Sequence, residues 1–299
     1  MFADWLRAFV ARQSDPVVAH AEASLELLRS LSASIPPVVE WDIVSAETFT
    51  QEQEALLEAG RSLGSSNLDL FETAMSAYWH DQAGLAFAYR AMVLLRSAEL
   101  VLPAVPLLNE RELLGPAVLA RAAVELAALY AHELQKLVDL FQVAASRPPG
   151  HAFVMKDPGG NVIDVEKILV RAIWGWKAED GARDHQPEEL RQLNAMTAVH
   201  KLADIVPRLA EVYDYLCQVA HPNVAGNARF WANMREDRPG RSRVTFGRQS
   251  DGPEAERIRI AVLWALGWSA AIVHRWSLKL EDAVRDIFNR WPGEPRTVA

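Results

Sequence analysis

Prolines and short polar breaks divide this chain into segments whose apolar residues recur every three or four positions, and that period points to a helical bundle. The clearest segment follows Pro116, placed where a first-turn proline belongs, and runs from Ala117 to about Ala145. Val118, Ala122, Leu126, Leu129, Leu134, Leu137, Val138 and Phe141 trace its expected apolar side, and Arg147-Pro148-Pro149-Gly150 ends it. A second long helix is expected from Pro253 to about Arg290. Its stretch from Ile260 to Val273 is apolar all round, Trp264 and Trp268 included, which places it at the centre of the bundle.

Other boundaries follow from caps and breakers. Phe2, Trp5, Leu6, Phe9 and Val10 have helical spacing, and Asp15-Pro16 supplies an N-cap and first-turn proline for a helix toward Leu31. Too short to be stable alone, Phe2 to Arg12 is expected to dock on its own bundle, with a partner-subunit contact as the second choice. Ile35-Pro36-Pro37-Val38 forces an extended linker. Thr50-Gln51-Glu52-Gln53 reads as a capping box opening a helix to Leu63, Gly64-Ser65-Ser66-Asn67 precedes another, and Asp81 to Leu102 is helical until Pro103 and Pro106. Asp164 can cap a helix to Trp176, and a longer one starts near Pro187 and runs to Ala220 with a kink or break at Pro207.

Two irregular stretches interrupt the helices. Phe153-Val154-Met155 and Val162-Ile163 flank Asp157-Pro158-Gly159-Gly160-Asn161, a composition that suits a hairpin, and Arg243-Val244-Thr245-Phe246 reads as one strand of a second. The expected fold is therefore all-α, a multi-helix bundle with one or two short β-hairpin insertions. It comprises an N-terminal helical segment, residues 1–35, and a main bundle, residues 36–299, with irregular insertions near 147–163 and 222–252.

Composition narrows the classes of function. Half the residues are hydrophobic, enough for a sizeable core, and the single cysteine, Cys217, cannot form an internal disulfide. That fits a reducing compartment, with the cytoplasm as default. Met1 to Arg12 has no apolar run of signal-peptide length, and the longest apolar run, Ile260 to Val273, falls short of the roughly 18 to 20 residues that span a bilayer, so no membrane span is expected. A net charge of -8 opposes generic nucleic-acid binding. The local exception is Arg235, Arg238, Arg241, Arg243 and Arg248, diluted by Glu236 and Asp237, for which a solvated loop is the default reading.

Motifs for nucleotides and metals are absent. The chain has no GxGxxG and no GxxxxGK[ST]. None of its eight histidines has a glutamate three residues before it, and His132-Glu133-Leu134-Gln135-Lys136 leaves the HExxH zinc motif incomplete. No cofactor and no metal is expected. Cys217 reads as a small core residue and the tryptophans as core packing.

Two charges and one histidine stand out. Arg121 and Glu125 are the only charged residues between Pro116 and Ala131, one turn apart on a helix that otherwise wants burial. A buried ion pair that fixes helix register is the structural reading, since isolated charges there would cost several kcal/mol, on the order of the penalty for burying an unpaired ion. His221 precedes Pro222 and should end its helix, where the dipole favours the protonated ring. That position suits a proton-transfer group and equally a plain helix cap.

Leu119-Ala120-Arg121-Ala122-Ala123-Val124-Glu125-Leu126, together with Tyr213-Asp214-Tyr215-Leu216-Cys217-Gln218-Val219-Ala220-His221-Pro222-Asn223, resembles two elements of an uncharacterised bacterial helical family related to the HEPN superfamily. The resemblance extends over roughly residues 85–227. It implies a helical bundle, often dimeric, of the kind found in toxins and phage-defence proteins, many of which cleave RNA without metal. In those nucleases an arginine precedes the catalytic histidine by four to six intervening residues. This chain departs from that rule, because Asp214, Tyr215 and Leu216 stand at the corresponding positions before His221. A rearranged site is the remaining form of the expectation: His221 takes the proton of an RNA 2′-hydroxyl, Arg121 stabilises phosphate charge, Glu125 orients one of them, and Asn223 donates a hydrogen bond. The alternative is a non-catalytic helical scaffold, in which Arg121 and Glu125 hold the core and a surface elsewhere binds a protein partner.

Overall fold

The computed structural model describes residues 1–36, 46–62, 64–148, 164–175, 194–221, 227, 231–246 and 251–291. The fold is all-α, with one antiparallel hairpin among the described residues. The helices are α1 (Asp4–Val10), α2 (Pro16–Ala19), α3 (Ala21–Ala33), α4 (Ala46–Ser62), α5 (Asn67–Val101), α6 (Ala104–Asn109), α7 (Leu114–Ser146), α8 (Val165–Trp174), α9 (Ala195–Ala203), α10 (Leu209–Ala220) and α11 (Pro253–Arg290). Strands β1 (Trp231–Arg238) and β2 (Arg241–Phe246) form the hairpin between α10 and α11. The hairpin expected at 153–163 lies outside the described residues, as does the segment from Pro187 to Leu193.

The chain divides into two compact units. The first contains Met1–Ser34, Val93–His132 and Asn194–Arg275; the second contains Ile35–Met92, Glu133–Leu193 and Trp276–Ala299. Residues 1–34 of the expected N-terminal segment belong to the first unit together with α10 and the hairpin, and the expected main bundle, residues 36–299, is shared between the two units.

In the first unit, the short α1 does dock: Phe2, Leu6 and Phe9 are buried, Ala3 N–H donates to Asn109 Oδ1 at 2.8 Å, and the Trp5 indole donates to the Asn109 carbonyl at 3.0 Å. Asp15 caps α2, its Oδ1 accepting from Val17 N–H at 2.9 Å. Residues 261–270 of α11 are buried without interruption, as an all-apolar stretch requires. Gly267 allows a close approach there, since a Cβ on it would meet the Cα and Cβ of Ala21 at 3.1 Å and the Val17 carbonyl at 3.2 Å.

The second unit is built around Trp79 of α5, which meets Phe141 of α7 edge-on with centroids 6.0 Å apart, and around Leu280, Val284 and Ile287 of α11. Its buried charges are paired. Glu133, fully buried, accepts from Lys136 at 3.2 Å and Arg171 at 3.4 Å. Arg90, almost fully buried, donates to the Ser277 carbonyl at 3.1 Å and to Glu281 at 2.8 Å. Arg147 and Arg290 both reach Glu72 and both lie over the Trp291 ring.

Several expectations need correction. α4 starts at Ala46 and carries Thr50 inside it, so the capping box does not open that helix. The reciprocal cap belongs instead to α5, where Ser66 Oγ accepts from Asp69 N–H at 3.2 Å and Asp69 Oδ2 accepts from Ser66 N–H at 3.1 Å. α5 then runs unbroken through Asp81. On α7 the expected apolar side holds only in the second unit. In the first, the buried residues are Ala117, Ala120, Ala123, Val124, Ala127, Ala128, Tyr130 and Ala131, most of them small, while Val118 is exposed and Ala122, Leu126 and Leu129 are half-buried.

Length and composition also qualify two segments, Asn67–Asn109 and Leu114–Ser146, as able to cross a membrane, with 44% and 50% of their most apolar windows buried inside the protein. Counting unbroken apolar runs overlooked them because single charges such as Arg90 and Arg121 interrupt each run.

Candidate functional site

α10 brings the candidate residues toward α7 within the first unit. Pro207 breaks the chain between α9 and α10, and Arg208 takes up the break with φ of 69°, in the left-handed region that a non-glycine residue enters at a cost of about 1–2 kcal/mol. Its guanidinium pairs with Asp15, the cap of α2, which fixes where α10 begins. Farther along, the Tyr215 hydroxyl donates to Glu254 at 2.7 Å in the first turn of α11, and Arg257 lies 4.5 Å over the Tyr215 ring. Burial and then Glu254 push the Tyr215 phenol well above its ordinary pKa, so it remains a donor.

Held in this way, α10 presents Tyr213 to α7. The Tyr213 hydroxyl donates to Glu125 Oε1 at 2.7 Å, and Arg121 Nε donates to the same oxygen at 3.2 Å. Burial first, and the adjacent carboxylate second, push the Tyr213 phenol far above its ordinary value. Burial pulls Arg121 down, but Tyr213, Cys217 and Glu125 beside it outweigh that pull and raise it. The network is a phenol, a carboxylate and a guanidinium sharing one oxygen.

Exposure corrects the expectation of a sealed ion pair. The Arg121 and Glu125 side chains are 34% and 30% exposed, because they lie on the outward row of α7 beside Leu126 and Leu129. Tyr213, by contrast, is buried. With about a third of each side chain exposed, the pair is partly screened by water.

His221 is the C-cap of α10, exposed, with extended backbone (φ −79°, ψ 142°) as Pro222 demands, and its N–H donates to the Cys217 carbonyl at 3.1 Å. His221 follows Cys217 by one turn, about 6 Å farther along the axis. No hydrogen bond joins the imidazole to Arg121 or Glu125 among the described residues. Asn223, the fourth candidate, lies outside the described residues.

Tyr213 is the member that sequence reasoning missed, since it entered there only as part of the motif before His221 and was given no role. A signal existed, because a buried tyrosine hydroxyl needs a partner, and a charge on a facing helix is the natural one. An open hollow between α9 and α10 is lined by Met196, His200, Lys201 and Asp204 and includes none of the candidates. Among the described residues, no group of three or more His, Cys, Asp or Glu side chains is arranged to hold a metal ion. Comparisons with protein-family models, curated proteins and solved structures give no match, so this geometry and chemistry are the basis for reading the chain.

Proposed function

We propose that the chain binds RNA and cleaves it without metal at the α7–α10 site of the first unit. The observation that supports this reading is the partly exposed Arg121–Glu125 pair, bonded by the buried Tyr213, on the helix pair whose end carries the exposed His221. Tyr213 and Glu125 fix the guanidinium in place, and a fixed cation stabilises charge on a phosphate more effectively than a mobile one.

In the reaction, His221 takes the proton of a 2′-hydroxyl and the 2′-oxygen attacks phosphorus. The bond to the 5′-oxygen breaks, and that oxygen takes a proton from water. The products are a 2′,3′-cyclic phosphate and a 5′-hydroxyl end. Arg121 faces the charge that builds on the phosphoryl oxygens, and Asn223 completes the reading as a hydrogen-bond donor.

Labelled RNA incubated in EDTA with wild type, His221→Ala and Arg121→Ala protein tests this. Each variant is expected to lose about 100-fold or more of the rate, the scale of a general base or a charge-stabilising donor. Equal cleavage by wild type and His221→Ala would end the nuclease reading. The burial of Tyr213 favours a second reading, a scaffold in which the network only holds α10 to α7. Under that reading both variants leave RNA untouched, as wild type does, and Arg121→Ala changes stability alone.

A further inference from the structure

The hairpin between α10 and α11 sorts its charges in an unusual way. Arg238 pairs with Arg241 across the turn, and Arg235 pairs with Arg243. Residues directly opposite in an antiparallel pair share a face, and Arg241 and Arg243 share one by alternation, so Arg238, Arg241 and Arg243 occupy one face by register. Glu236 is paired with Ser242 on the other.

This arrangement depends on a slip. Register shifts between Glu236 and Arg238, leaving Asp237 as the extra residue. Regular pairing from the turn outward would put Glu236 opposite Arg243, a cross-strand pair of opposite charges that stabilises a hairpin by about 0.2–1 kcal/mol. The register instead puts Arg241 opposite Arg238 at the turn, a like-charge pairing that destabilises an isolated hairpin. Arg238, Arg241 and Arg243 are exposed, and so is the tip, where a Cβ on Gly240 (φ 76°) would meet nothing within 4 Å.

The ribbon belongs to the first unit, as do α10 and the start of α11 that follows the ribbon in the chain. Asp251 pairs with Arg111 at 2.9 Å, and Glu254 accepts from Tyr215, a residue of the helix that ends in His221. The exposed stretch from Arg238 to Arg243 offers arginine, proline, glycine and serine and no large apolar side chain, so it has nothing to insert into a lipid surface. Planar guanidinium groups repeated on one face match phosphate oxygens.

We propose that the arginine face of this ribbon binds the phosphate backbone of single-stranded RNA and holds the strand for the α7–α10 site. The inference rests on the RNA reading above but is tested separately, by binding. Arg238→Gln/Arg241→Gln/Arg243→Gln is compared with its parent in His221→Ala protein, with fluorescence anisotropy of a labelled mixed-sequence RNA oligonucleotide measured over a range of KCl concentrations. Circular dichroism checks that both fold alike, and the corresponding triple lysine variant keeps the charge. At low salt the glutamine variant is expected to bind about tenfold or more weakly. Its slope of log affinity against log salt is expected to fall by about two, since each phosphate neutralised on a single strand adds near 0.7 to that slope. The lysine variant is expected to recover most of the slope. Equal affinity and slope for the glutamine variant and its parent overturn the proposal, whatever the cleavage assay shows. So does binding to phosphatidylserine vesicles, or to a polyglutamate peptide, that is tighter than binding to RNA. A reduced slope in a protein that cleaves nothing supports the ribbon and refutes the cleavage reading alone.

Discussion

Tyr213→Phe removes one oxygen from a buried ring and leaves the ring in place, so it reports on the bond to Glu125 with little disturbance of packing. A hydrogen bond to a charged group contributes about 1.5–3 kcal/mol. Glu125 is partly exposed and can take up water where the phenol leaves, which puts the expected loss at the lower end, about 1.5 kcal/mol. Glu125→Gln keeps an acceptor but removes the charge that both Tyr213 and Arg121 meet, and a similar loss of about 1–1.5 kcal/mol is expected. Both substitutions act through the same 2.7 Å contact. The double variant should therefore be more stable than the sum of the single losses implies, with a coupling of about 1 kcal/mol. Urea denaturation followed by tryptophan fluorescence measures all four proteins, with an unchanged m-value as the condition for comparing them. A coupling within about 0.5 kcal/mol of zero, the range found for independent sites, would show that this bond does not tie α10 to α7.

Two further predictions concern the first unit. Arg7 above all, against the upward push of burial and with help from the Phe2 N–H, holds the Glu22 carboxyl at about 2, below its ordinary 4.5. A depressed carboxyl stabilises the fold above pH 4.5 and loses that contribution as pH falls toward 2, so the gap in stability between wild type and Glu22→Gln should be about 1 kcal/mol at neutral pH, the upper range for a partly exposed pair, and close across that window in acid denaturation. A gap that persists unchanged at pH 2 would refute the assignment. Gly267→Leu should cost about 1–3 kcal/mol, as overpacking does, because the added carbons meet the backbone of Ala21 and Val17 rather than a movable side-chain end. Wild-type stability in that variant, read as the urea midpoint, would mean that α11 does not lie close to α3 at this point.

The readable parts of the sequence were those governed by local rules. The all-apolar stretch of α11, the Asp15 and Asp164 caps and the break at Pro207 depend on neighbours within a few residues, and each stands where the pattern put it. The i, i+4 pairing of Arg121 with Glu125 was legible for the same reason. What covers a helix was not. Along α7 both an alanine row and a leucine row satisfy a 3.6-residue period, and only the neighbours of the first unit decide that the alanines go inside. The degree of exposure of the site, and the approach of Tyr213 from 88 positions farther along the chain, follow from that choice. Thr50 misled because a capping box needs the free N–H groups of a helix's first turn, and a helix already under way has none to offer.

The slip at Asp237 means that the polarity of the ribbon is written in strand phase rather than in amino-acid content. The same residues, paired without it, would set an acid against Arg243 and present a face of mixed sign. A mutation that only restored regular pairing would keep every arginine and still change what that face attracts, while net charge would register no difference.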